Sequence, residues 1–426
     1  MDLEQRGRAL CTDLYELSMA AAYFELGISH RAAFELFVRE LPKPRSYLVC
    51  AGLEQAVSYL LEFEFAREQI DYLRDLPVFE NMSDGFFDCL AGLSFSGTLE
   101  AVAEGTPVFA GEPILRVEAP MIEAQIVETF LLSIINYQTL VATKAARVVG
   151  AARLDGKERA VVDFGTRRAH GPDAAVLAAR ASFIGGCVAT SNVEGGFQMG
   201  IPLSGTEAHS FIMAFDTEED AFRKFYGCFG NQAVILIDTY DVIEGAKSAI
   251  RGAPGMKGVR IDSGDLSSLS KQVRHLLDEA GMRDAVIVLS GDLDEYAIAK
   301  LIGDGASADA FGVGTRLVTS EDAPYLGVVY KLVAVEENGR WAPRFKLSPA
   351  KATYPGIKQV HRFADPHTGE LTHDVIAEAE EECPHGAEAL LKTVIRNGKL
   401  AADMPVLEAI RERAGGRRGS GRASRA

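Results

Sequence analysis

Four stretches between residues 233 and 316 decide the fold: AVILID (233–238), GVRID (258–262), AVIVLSGD (285–292) and DAFGVGTR (309–316). Each is a short apolar run that ends in Asp, Ser or Gly, and their starts lie about 24 to 27 residues apart. That interval fits one strand and one crossover helix, and unbroken apolar runs suit parallel strands covered on both faces. Residues 160–164 have the same texture, and weaker runs lie at 186–189, 202–203 and 328–333. Seven or eight such units predict an α/β fold, an irregular or incomplete TIM-like barrel over residues 155–335.

Outward from this core the texture is mixed. Residues 14–26 and 53–65 read as helices, whereas 99–117, punctuated by Gly105-Thr106-Pro107 and Gly111-Glu112-Pro113, reads as short strands. Ile122, Ile126, Val127, Phe130, Leu131, Ile134 and Ile135 follow helical spacing. The expected organisation is an N-terminal α+β domain over 1–154, with a short-strand sandwich at about 95–120 and a linking helix at about 121–148. The barrel follows, then a segment 336–410 that packs back on the N-terminal domain, making that domain discontinuous. Residues 411–426, with six arginines against one glutamate, read as a disordered basic tail.

Of the 426 residues 47% are apolar and 24% charged, the balance of a soluble globular protein. A net charge of -16 repels nucleic acid and anionic lipid, so an anionic substrate would need local cations and backbone amides. Six cysteines form no CxxC pair or short zinc spacing, which fits a reducing, cytoplasmic setting; no signal peptide or membrane span is expected.

In barrel enzymes the loops after the strands carry the chemistry. Here they deliver Arg167, Arg168 and His170; Ser191; Ser204, Gly205, Thr206, His209 and Ser210; Asp238; Asp262; Gly291 and Asp292; and Gly312, Gly314, Thr315 and Arg316. The last group is either a phosphate cradle or a tight strand-to-helix turn. Asp238, Asp262 and Asp292 either hold Mg²⁺ and sugar hydroxyls or cap the following helices. His209 suits an acid, base, nucleophile, metal ligand or structural role. A P-loop reading of 150–157 fails, since its spacing is one residue too long and Glu158 replaces the Ser/Thr. The residues reach a barrel enzyme acting on a phosphorylated, sugar-like substrate with Mg²⁺; a phosphosugar isomerase or lyase, or a non-catalytic binding paralogue, stays open.

Eight segments, in order, resemble the nicotinate phosphoribosyltransferase family: TDLYELSM from Thr12, FELFVRELP from Phe34, DFGTRRAHGPD from Asp163, SGTEAHS from Ser204, LIDTYD from Leu236, RIDSGD from Arg260, FGVGTRLVTS from Phe311 and YKLV from Tyr330. The resemblance implies condensation of nicotinate with 5-phosphoribosyl 1-pyrophosphate, with Mg²⁺, in NAD salvage. ATP hydrolysis is implied to be coupled through a transient phosphohistidine at His209, with Asp238 nearby. Phe164 resembles the aromatic that stacks on the pyridine, and Asp13 and Tyr15 the pair reaching in from the other subunit of a homodimer. Arg167 resembles the arginine near the ring substituent and pyrophosphate. Arg260, Asp262 and Asp292 resemble the ribose, diphosphate and Mg²⁺ contacts, and Gly291, Gly312 and Gly314 the 5′-phosphate cradle, with Thr315 and Arg316 beside it. Ser191 stands where the similar nicotinamide-using enzyme has an Asp, so the acid is favoured over the amide. Lys346, Lys351 and Lys358 receive no individual role, and His367, His373, Cys383 and His385 read as surface residues, not metal ligands.

Overall fold

The structure, a computed structural model, describes residues 8–346 and 354–416. It divides into two compact units, Val141–Pro324 and the combination of Met1–Leu140 with Tyr325–Ala426.

The Val141–Pro324 unit is a six-stranded parallel α/β sheet built from the apolar runs: β1 (Ala160–Asp163), β2 (Ala189–Thr190), β3 (Val234–Leu236), β4 (Gly258–Ile261), β5 (Val286–Leu289) and β6 (Ala310–Val313). Its hydrogen-bonded order is β2-β1-β6-β5-β4-β3. The first strand therefore pairs with the last, as in a closing barrel, and a parallel bridge from Thr190 to Leu203 extends the order beyond β2. The order ends there on one side and at β3 on the other, so the sheet is a curled half-barrel. Ile235, Val259, Ile261, Ile287, Leu289, Phe311 and Val313 are buried in one core with Val273, Leu277 and Ile298 from the crossover helices. Side chains of Asp241, Asp265 and Asp294 cap the helices Val242–Gly252, Leu266–Glu279 and Glu295–Gly303. Asp238, Asp262 and Asp292 are thus not the caps and remain on the rim.

The expected strand at 328–333 belongs elsewhere. Val328–Glu337 pairs antiparallel with Arg31–Val38 in a seven-stranded sheet of the other unit, one strand in from its edge. A short apolar run marks a strand but not whether its neighbours are parallel or antiparallel, so composition could not separate the two. Leu391–Arg396 pairs with Thr98–Val102 in that sheet. Lys358, which opens the middle strand of a separate three-stranded sheet, is buried with its Nζ 2.8 Å from Glu35 Oε2; Lys346 is exposed, and Lys351 lies outside the described residues. The apolar run Met121–Ala151 is long enough to span a membrane, yet 67% of its most apolar window is buried inside the protein.

The basic tail expected from residue 411 is helical at its start: Leu407–Gly416 is a helix, with Ile410 and Ala414 buried. Gly105 makes room for it, since a β-carbon there would stand 2.4 Å from the Ile410 carbonyl oxygen, and Arg413 donates to the Glu104 carbonyl. The rest of that tail lies outside the described residues.

Candidate active site

At the carboxyl ends of the parallel strands lies a polar pocket of about 220 Å³. It gathers Phe164 and Arg167 after β1, Ser191 after β2, Gly205 and Thr206, Arg260 and Asp262 at β4, Gly291 and Asp292 after β5, and Gly312, Gly314 and Thr315 at β6. Arg168 and Ser290 complete the lining. Arg167, Arg168 and Arg260 supply the cations that an acidic chain needs to hold an anion. A larger cavity of about 880 Å³ in the other unit holds none of the predicted residues.

Asp163 shapes the first loop. It is 1% exposed, and its two carboxylate oxygens accept from the Gly165 N–H and the Thr190 hydroxyl, each at 2.8 Å. Burial pushes its carboxyl up, while those two donors pull it back. The sequence reading missed this role, because a buried Asp at a strand end looks like any rim carboxylate. Phe164 follows, half-buried, with the Arg260 guanidinium 5.9 Å from its ring centroid.

Two glycines are dictated by close approach. A β-carbon on Gly291, at φ +96°, would stand 2.0 Å from the Asp262 carbonyl oxygen, and one on Gly312 would stand 2.4 Å from the Phe164 ring. Gly312 therefore makes room for the aromatic. Asp292 adopts φ +47°, a conformation uncommon outside glycine, on the exposed rim.

The carboxylates are chained across neighbouring strands. Ser290 Oγ donates to Asp262 Oδ1 and Ser263 Oγ to Asp238 Oδ2, both at 2.6 Å, and the Asp262 N–H also donates to Asp238 Oδ2 at 3.2 Å. Asp238 Oδ1 and Arg260 Nε are buried without a hydrogen-bond partner. His209, half-buried at the start of a short helix, has Nδ1 3.1 Å from Thr239 Oγ1, next to Asp238; Ser210 beside it is exposed.

Not every predicted residue lines the pocket. His209, Ser210 and Asp238 stand on adjoining loops, and Arg316 is held by Asp294 at 2.7 Å and Glu321 at 3.0 Å. Asp13 and Tyr15 belong to the other unit, exposed at the start of the helix Leu14–Glu25. Among the described residues no cluster of three or more His, Cys, Asp or Glu is arranged to hold a metal by itself. His373 stacks on Phe363 at 4.5 Å.

With this geometry in place, comparison with known proteins is specific. The family model described as the nicotinate phosphoribosyltransferase N-terminal domain matches residues 10–136, and the one described as the nicotinate phosphoribosyltransferase family matches 159–379. The chain is 44% identical over 419 residues to nicotinate phosphoribosyltransferase pncB2 of Mycobacterium tuberculosis, covering 97% of this chain and 87% of that one. It is 47% identical over 384 residues to the nicotinate phosphoribosyltransferase of Bacillus subtilis, covering 88% and 77%. The crystal structure of human nicotinic acid phosphoribosyltransferase is similar with a TM-score of 0.82 at 29% identity, over 95% of this chain and 93% of that one. That of nicotinate-nucleotide pyrophosphorylase from Pyrococcus furiosus gives 0.78 at 26%, over 98% and 96%.

Proposed function

This chain belongs to the nicotinate phosphoribosyltransferase family, and on that premise we propose how its pocket works. The enzyme joins nicotinate to 5-phosphoribosyl 1-pyrophosphate, giving nicotinate mononucleotide and pyrophosphate in NAD biosynthesis. The observation that carries the assignment of roles is that one pocket collects an aromatic face, three arginines, two carboxylates and the glycine turns of β5 and β6.

In this reading the sheet is an irregular TIM-like barrel whose rim segments divide the work. Phe164, seated on Gly312, stacks on the pyridine, and Ser191 and Arg167 donate to the nicotinate carboxylate. Gly291, Gly314 and Thr315 offer backbone amides to the 5′-phosphate, while Arg316, held by Asp294 and Glu321, braces that turn. As pyrophosphate leaves, positive charge grows on the ribose. Asp262 and Asp292 stabilise it, Arg167 and Arg260 stabilise the departing anion, and no covalent nucleophile on the ribose is needed.

Asp262 and Asp292 also fit Mg²⁺: that ion is usually held by one or two carboxylates plus substrate phosphate oxygens, which matches a pocket with two carboxylates and no closed metal cage. When bound, Mg²⁺ neutralises charge on the pyrophosphate.

ATP enters through His209. With Nδ1 engaged by Thr239, Nε2 is the nitrogen that takes the γ-phosphoryl group as ADP leaves; Asp238 adjoins Thr239 and Ser210 adjoins His209 along the chain. Each 1.4 kcal/mol of hydrolysis energy delivered to the bound states shifts an equilibrium about tenfold. Asp13 and Tyr15 complete the pyridine site from the other subunit of a homodimer, and the enzyme works in the cytoplasm. Incubating the protein with nicotinate, 5-phosphoribosyl 1-pyrophosphate and Mg²⁺, with and without ATP, should release pyrophosphate in both cases and more with ATP. No release in either would sink the reading.

A further inference from the structure

The parallel sheet has one seam its backbone does not close, between the Thr190–Leu203 bridge and β3. A side chain acts there. Glu207 Oε1 accepts the Leu236 N–H of β3 at 2.6 Å, and both residues are buried. Two residues past Glu207 comes His209, and three past Leu236 comes Thr239, whose hydroxyl meets His209 Nδ1. The segment carrying His209 is therefore fastened to the β3 arm twice.

A carboxylate is an expensive way to accept one N–H, which an amide oxygen would accept as well. Glu207 Oε2 is buried without a hydrogen-bond partner, as is Arg260 Nε. Burial pushes the Glu207 carboxyl up, and Arg260 is near enough to oppose that rise. Glu207 thus joins the His209 segment to β3 and brings a carboxylate into the field of a pocket-lining arginine.

We propose that Glu207 is a positioning residue that holds the His209 segment against β3, and that its loss removes phosphorylation of His209 and the ATP stimulation of synthesis more than it slows synthesis without ATP. The inference rests on the His209 reading above. It is tested on the full chain by comparing wild type, Glu207→Ala and Glu207→Gln for label taken from γ-labelled ATP and for the ratio of mononucleotide formed with ATP to that formed without.

Glu207→Ala should lose at least tenfold of the label and of the ATP stimulation, with faster hydrogen exchange over residues 234–237. Glu207→Gln, which keeps an acceptor for Leu236, should recover both to within threefold. Should the alanine chain fail to fold, Glu207→Asp withdraws the oxygen by one methylene and should show the same loss. Label and stimulation at the wild-type level in Ala or Asp would overturn the inference, as would equal loss of synthesis with and without ATP in both Ala and Gln. A wild-type chain that takes no label overturns the His209 reading and this inference with it; equal label on wild type and Glu207→Ala overturns this inference alone.

Discussion

The ring of Phe164 lies 2.4 Å from where a β-carbon on Gly312 would stand. That contact links β1 to β6, which are paired strands, and fixes an aromatic face in the pocket lining.

Gly312→Ala must therefore push the ring away. Overpacking of this kind costs about 1–3 kcal/mol, and the cost falls on the pyridine site. The expected result is a KM for nicotinate raised about tenfold, at 1.4 kcal/mol per decade, with the KM for 5-phosphoribosyl 1-pyrophosphate changed much less. Steady-state kinetics with each substrate varied in turn separates the two; a rise confined to 5-phosphoribosyl 1-pyrophosphate would show that the glycine serves the phosphate instead.

His209→Asn keeps a side chain that can hydrogen-bond Thr239 but cannot carry a phosphoryl group. Nicotinate-stimulated ATP hydrolysis should vanish while slow, uncoupled synthesis persists. Acid-quenched labelling with γ-labelled ATP reads this directly, and label at the wild-type level in the variant would remove the histidine from the scheme.

The parallel sheet and its rim were legible in the sequence because both rest on local pattern. Apolar runs ending in Asp, Ser or Gly recur at a βα interval; that Asp241, Asp265 and Asp294, and not Asp238, Asp262 and Asp292, cap the helices emerged only from the structure. What depends on long-range partners was not legible. Val328–Glu337 finds its neighbour in Arg31–Val38, almost three hundred residues earlier, and the helix Leu407–Gly416 is stabilised by contacts at Gly105 that its Arg- and Gly-rich composition does not announce. Glu207 escaped for the same reason, since its partner Leu236 is defined only once the sheet leaves its seam open.

Glu16 provides a pH test in the other unit. It is fully buried, and burial, with the nearby Glu128 charge, pushes its carboxyl up to about 7 despite hydroxyls of Thr12 and Thr129 donating to it. Below the ordinary carboxylate value both folded and unfolded chains hold the proton, and there is no cost. Between about 4.5 and 7 the unfolded chain releases it first, so this group makes stability fall as pH rises, by about 3 kcal/mol in full above pH 7. Glu16→Gln should flatten that slope and raise the melting temperature at pH 8 relative to wild type. Thermal melts from pH 5 to 8 measure both; parallel curves for the two chains would show that Glu16 stays ionised when folded.

Ser191 is where substrate choice should be readable. Its N–H is held by the Asp163 carbonyl at 2.8 Å, so the backbone is fixed and only the side chain varies. A hydroxyl there can donate to a carboxylate, whereas an Asp would set two negative charges against each other: at 4 Å about 1 kcal/mol in water and about 4 at an effective dielectric of 20. Ser191→Asp is expected to lower kcat/KM for nicotinate by at least tenfold and to raise that for nicotinamide relative to it, because an aspartate accepts the amide N–H groups. Product formation from nicotinate, nicotinamide and quinolinate, measured side by side on both chains, decides the matter. If the nicotinate preference survives the added charge, the ring substituent must lie elsewhere in the pocket, with Arg167 or Arg168 as its anchor.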